Sequence, residues 1–258
     1  PLTIELKLTG VLAVEIDERF KVTEQLDGKM LINGELRGSN CNQWLDSHCP
    51  ATQELIGKVP NASAEEMTEA VTAAKEAFNA WKKTSQKQRV ALIEEIAQRL
   101  EARADEFAKI EALDTGNTVG PMTNDIHKAV ERMHFYCGLA YELKGMTVPS
   151  TPENIHLTLR EPYGVVGRII LLAEICAEVA PPGVINIVTG DRVTGEVLVR
   201  DPRVKRIAFI GSVASGMAIQ KAAAESAVKH VSLELGGKNP FIVCEDANLD
   251  DAIKAATN

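Results

Sequence analysis

The stretch Val231-Ser232-Leu233-Glu234-Leu235-Gly236-Gly237-Lys238-Asn239-Pro240 decides how the rest of the chain is read. Apolar Val231, Leu233 and Leu235 alternate with Ser232 and Glu234, the period-two pattern of a strand. Two glycines follow, where a backbone can turn sharply or let a ligand come close. A carboxylate one residue before such a turn stands at a strand end, which is where α/β proteins keep their chemistry. In isolation the decapeptide fits a solvated glutamate beside an ordinary turn better, so its neighbours decide.

Immediately upstream, Phe209-Ile210-Gly211-Ser212-Val213-Ala214-Ser215-Gly216 reads as a strand ending at Ile210 and a helix opening near Val213. Free amides and the positive dipole end at that helix start suit a phosphate. Gly211 permits close approach, and the Ser212 hydroxyl can donate to an oxygen; a plain N-cap is the simpler use of the same pair. Further strands are expected at Tyr163–Ile170, Val184–Val188 (VINIV), Arg206–Ile210 and His230–Leu235. Helical patterns separate them at Leu171–Ala180, Val193–Arg200 and Val213–Ser226. Such alternation predicts an α/β fold with a doubly wound parallel sheet. The fingerprint G-x-G-x-x-G is absent.

The first half differs. Leu2–Ile16 alternates as two strands around Thr9-Gly10, and MLINGELR (Met30–Arg37) carries Asn-Gly between short apolar runs, a strong hairpin signal. Ser63 with Glu66 and Ser85 with Gln88 are capping boxes opening two helices. Their apolar faces hold Met67, Ala70, Val71, Ala74, Phe78 and Trp81, then Leu92, Ile93, Ile96 and Leu100. A third helix with Phe107, Ile110 and Leu113 stops at Thr115-Gly116-Asn117, and a fourth runs from about Asn124 to Lys144. Its stripe of Ile126, Val130, Met133 and Cys137 is core spacing, which makes Cys137 an inert buried thiol. Ile155, Leu157 and Leu159 alternate among Pro149, Pro152 and Pro162, an edge ribbon.

The 258 residues carry a formal charge of −8, which argues against a nucleic acid or an anionic membrane as partner. Apolar runs are broken by Arg168, Glu174 and Glu178, too soon for a membrane span, and no targeting segment precedes Leu2. Five cysteines without a C-x-x-C pair point to a reducing compartment, read as cytoplasmic. The five histidines lack metal-ligand spacing, so no metal is expected.

Taken together, the decapeptide around Glu234, the Gly211-Ser212 turn one βα step upstream, MLINGELR and Cys49–Pro60 (CPATQELIGKVP) resemble the aldehyde dehydrogenase superfamily, from about Met30 to Asn258. The resemblance implies NAD or NADP as cofactor, an aldehyde as substrate, and a homodimer or homotetramer in which the ribbon reaches a neighbouring subunit. It implies Glu234 as the catalytic general base, and Gly211, Ser212, Leu235 and Gly236 as cofactor-binding residues. The implied organisation is an N-terminal β segment over 1–29, then a helical region with the oligomerisation-type ribbon over 30–162. A nucleotide-binding portion over 163–235 and the start of a catalytic domain over 236–258 complete it.

Two departures stand out. The family nucleophile lies on a Gly-Gln-x-Cys-type segment, and none of the five cysteines has that context; Cys244, the nearest, is expected mid-strand. Between Ile170 and Leu171 the family has a further helix-and-strand unit, carrying an oxyanion-binding Asn and the Lys and acid that hold the adenine ribose. No turn-forming residue stands between the strand through Ile170 and the helix from Leu171, so these two residues are expected not to be covalent neighbours. The alternative to an enzyme lacking its nucleophile segment is a short, non-catalytic relative that binds a nucleotide or a subunit.

Overall fold

The computed structural model describes residues 26–149, 151, 154–158, 170–238 and 240–257. The expected strands at Leu2–Ile16 lie outside them, as does all of the expected strand Tyr163–Ile170 but its last residue.

The Asn33-Gly34 pair sits at φ 53° and 83°, the left-handed values a two-residue hairpin turn demands. It joins β2 (Met30–Ile32) to β3 (Glu35–Arg37) in antiparallel register. All three residues of β2 are buried, at 0, 1 and 1% exposure, so this short strand is covered on both faces. Met30 and Ile32 pack with Ala62 and Ala70, and Leu31 packs on the opposite side with Ile96, Leu100, Ala173 and Ile175. A separate mixed sheet has β5 (Leu55–Pro60) between β1 (Leu26–Asp27), parallel to it, and β4 (Trp44–His48), antiparallel.

Four helices follow. Both capping boxes form: Ser63 opens α1 (Ala64–Trp81) and Ser85 opens α2 (Gln86–Ala102). Gly116, at φ 75°, ends α3 (Ala104–Thr115) in the left-handed cap expected of a glycine. Helix α4 spans Val119–Ala140, starting earlier than Asn124 because Pro121 falls in the first turn, where no amide is needed. Val130 and Cys137 are buried as expected, and Ile126 and Met133 pack against the core. Ile93 is the exception: it is exposed, and Ala97 at 0% takes the place on α2 that the helical period had given it. The histidines of α4 each meet a glutamate of α2, His127 with Glu101 at 2.9 Å and His134 with Glu94 at 2.7 Å. The ribbon forms from β6 (Thr147–Pro149) and β7 (Ile155–Leu157).

The second half holds α5 (Ile170–Val179), α6 (Arg192–Arg200), β8 (Arg206–Gly211), α7 (Val213–Ser226), β9 (His230–Leu235) and α8 (Leu249–Thr257). The architecture is α/β, and β8 and β9 form a parallel pair around α7. Three finer expectations fail. Ile170, expected to end a strand, is the first residue of α5. VINIV forms no strand of the parallel pair: Ile187 instead exchanges two backbone hydrogen bonds with Leu31, at 2.9 and 2.8 Å, as an isolated antiparallel bridge. Cys244 is exposed and not in a strand, because residues 241–244 have no partner backbone among the described residues to ladder with.

Glu66 locks the hairpin to α1. Its carboxylate, 1% exposed, accepts from the amides of Ser63 (2.9 Å) and Asn40 (2.8 Å) and from the Ser39 hydroxyl (3.0 Å). Burial pushes its pKa up, but the donors of Ser63, Asn40 and Ser39 and the Arg37 charge outweigh that and hold it below the ordinary glutamate value. A carboxyl depressed in the folded state contributes stability that is complete above about pH 5 and lost as pH falls through the folded value. Glu66→Gln is therefore expected to lower stability by about 1–3 kcal/mol at neutral pH. It should also flatten the loss of melting temperature on acidification, which thermal unfolding at stepped pH measures.

Candidate active site

The parallel register of β8 and β9 sets opposite each other the residues singled out in the sequence. Ile210 faces Glu234, and Gly211 faces Leu235. Alternation gives the pair two faces. Ile207 and Val231 turn toward α7, where they pack with Ala222, Ala223 and Ile219. Glu234, two pleats further along the other face, is exposed, and its register partner Ile210 is 62% exposed. Gly211, Ser212, Glu234, Leu235 and Gly236 thus share one end of the strand pair.

Ser212 is the N-cap of α7: its hydroxyl accepts from the Ser215 amide at 3.1 Å and donates to or accepts from the Ser215 hydroxyl at 2.9 Å. The amides of Val213 and Ala214 precede the helical ladder and remain for a ligand. Gly211 lies over a ring: a Cβ there would come within 2.6 Å of Cζ of Phe209. Around Gly236, by contrast, the space is open.

Sequence reading missed the cavity beside this turn. A space of about 770 Å³ lies between α6 and α7 over β8, lined by Arg192, Gly195, Glu196, Phe209, Ser215 and Ile219 among others. That volume is within the range of small-molecule sites, roughly 300–1,000 Å³. At its rim Arg200 bonds both Glu196 (2.8 Å) and Glu225 (3.2 Å), leaving Arg192 and Lys221 to tip the charge positive. Helix α6 is fixed at both ends. Asp191 caps it by accepting from the Val193 amide at 2.8 Å, and Thr194 donates to the Ala62 carbonyl at 2.6 Å. Lys229, just before β9, donates to the Val199 and Asp201 carbonyls at 2.6 and 2.5 Å. No sequence pattern flags such a cavity, since α6 and α7 are joined through packing on β8.

A second cavity, about 480 Å³, lies between Trp81, Leu92 and Pro181-Pro182, away from the Ser212 turn. Among the described residues no group of three or more potential ligands could hold a metal, and no helix is long and apolar enough to cross a membrane.

The family model described as the aldehyde dehydrogenase family matches residues 37–170 and 168–258. The chain belongs to the aldehyde dehydrogenase family. Aldehyde dehydrogenase tropH of Talaromyces stipitatus is 34% identical over 80% of this chain and 47% of its own length. DhaS of Bacillus subtilis is 33% identical over 96% and 58% respectively. An NAD-dependent aldehyde dehydrogenase from Sinorhizobium meliloti superposes with a TM-score of 0.82 at 33% identity, covering 92% of this chain and 55% of that one. Other similar solved structures hold NAD+ or NADP. This aldehyde dehydrogenase chain spans about half the length of the relatives it matches.

The family match also breaks inside the chain. Its two stretches meet at residues 168–170, beside the first residues of α5. The alignment with DhaS runs over 288 positions while 96% of 258 residues is about 248, so about 40 positions face no residue of this chain.

None of the cysteines neighbours Glu234 in sequence, and they divide by burial. Cys49, Cys137 and Cys176 are buried; Cys41 and Cys244 are exposed. Burial pushes Cys176 up to about 11 and raises Cys137 as well. A thiol reagent at neutral pH is expected to label Cys41 and Cys244 within minutes and the other three only in denaturant, as mass spectrometry of the labelled chain would count.

Proposed function

We propose that this chain is the cofactor-binding and base-bearing part of an enzyme that oxidises an aldehyde to a carboxylic acid with NAD or NADP. The observation that carries this is the β8–β9 register, which brings the Ser212 turn and Glu234 to one strand end. The residues fit a dinucleotide. Gly211 leaves the turn without a Cβ, Val213 and Ala214 offer amides, Gly236 is open, and the α6–α7 cavity has the size for the adenosine end and a positive balance that suits its phosphates. When bound, the nicotinamide supplies the hydride acceptor. On this reading Ser212 and the first turn of α7 hold a phosphate, Leu235 and Gly236 border the nicotinamide, and Glu234 removes a proton from the water that hydrolyses a cysteine thioester. The thiolate that forms that thioester is not among these residues in a recognisable context.

Glu234→Gln in the complete enzyme should slow thioester hydrolysis by about 10²–10⁴-fold, the usual worth of a general base. Loss of cofactor binding with unchanged hydrolysis in rapid-quench kinetics would sink the assignment. The chain of 28.0 kDa should itself form no NADH from propanal.

The break of the family match at residues 168–170 also fits a second reading, a short relative that binds a nucleotide or a subunit without catalysis. NADH formation after the missing portion is restored, for instance by fusing the second half of DhaS, would decide for the enzyme.

The same proposal makes the protein a homodimer or homotetramer, in a cytoplasmic, reducing setting that suits five free thiols. Tyr136 on α4 and Met146 and Leu157 at the ribbon are 66, 65 and 65% exposed, large apolar side chains suited to burial between copies. Leu157→Glu is expected to shift the mass in light scattering toward the monomer.

A further inference from the structure

Gly216 is buried in the first turns of α7, and its amide donates to the carbonyl of Ser212 at 2.9 Å. A Cβ at this position would stand 2.7 Å from Cδ2, 3.2 Å from Cδ1 and 3.5 Å from Cγ of Leu235. Leu235 therefore occupies the room left by the absent side chain. It is also the register partner of Gly211, the residue before Ser212. Leu235 is thus paired through its backbone with Gly211 on β8 and meets Gly216 of α7 through its side chain. Leu235 is the covalent neighbour of Glu234.

We propose that Gly216 is a positioning residue: by admitting Leu235 it fixes the end of β9 to the Ser212 turn, so that the turn and Glu234 move as one body. This rests on the functional reading above, in which the turn holds cofactor phosphate and Glu234 is the base. Any other residue at 216 would displace the Leu235 side chain, the contact that ties the end of β9 to α7. The atoms in conflict are the far end of a flexible side chain, so the chain yields by moving Leu235 and α7 stays intact. Alanine is moreover the better helix former. A disturbed site with an undisturbed or raised melting temperature is therefore the signature of positioning, which a merely structural glycine would not give.

The test compares the parent chain with Gly216→Ala, Leu235→Val and the double variant. In Gly216→Ala the NMR signals of the Leu235 methyls and of the Gly211 and Glu234 amides should shift. Its melting temperature should hold or rise. Affinity for NAD+, read from the amide signals of the Ser212 turn, should fall about tenfold, the usual effect of one misfitting methyl-sized group. The double variant, with a shorter side chain at 235, should recover most of that loss relative to Leu235→Val. Unmoved signals at Leu235 and Glu234 would overturn the coupling, as would an equal loss of affinity with and without Leu235→Val. If the parent chain bound no NAD+, the nucleotide reading would fall, and the signals alone would decide the coupling.

Discussion

The structure hangs on one short strand. Met30, Leu31 and Ile32 are covered on both sides, and each fully buried apolar side chain of this size stabilises by roughly 1.5–3 kcal/mol. Leu31 is also bonded through both its amide and its carbonyl to Ile187. Asn186, itself buried, accepts from the Asn33 amide at 2.8 Å and donates to the Gly183 carbonyl at 2.8 Å. The hairpin turn from the first half is thereby clasped by a loop from the second. The helical block and the α6–β8–α7–β9 unit are held in register through that clasp and through Thr194 on Ala62.

Everything at the candidate site inherits this arrangement. Helix α6 is placed by α1 and the 60–62 segment; α7 and β8 are placed against α6 by Val199, Ile207, Ala222 and Ala223. The cavity is what remains between two helices whose spacing is set elsewhere. Glu234 stands on the sheet face that carries Ile210, which is 62% exposed, opposite the face that α7 covers. Among the described residues the parallel pair has two strands and one open face, whereas parallel sheets are ordinarily covered on both sides. The family match that breaks at 168–170 and the roughly half-length coverage of the relatives are consistent with that open face.

Local chemistry made much of the chain legible in advance. Asn33-Gly34, the two Ser-x-x-Glu/Gln caps and Gly116 each specify a backbone geometry from a few adjacent residues, and each adopts it. Helix α7 falls on its expected span, Val213–Ser226, because a capping serine and a helical period bracket it. The α/β class and the family could likewise be read from the strand–helix alternation and the residues around Glu234 and Gly211.

What the sequence could not decide depends on partners distant along the chain. VINIV has the composition of a buried strand, yet only the presence of Leu31 opposite Ile187 determines that it bridges the hairpin instead of joining β8. Residues 241–244 have a strand's pattern and no neighbour to pair with, and a backbone ladder cannot form on one side alone. The cavity between α6 and α7, and the nesting of Leu235 against Gly216, follow from how helices sit on β8. Neither leaves a mark within any single window of sequence. Sequence determined which segments could be helix, turn or strand; only long-range packing decided which of the strands found partners and which glycine made room for a side chain.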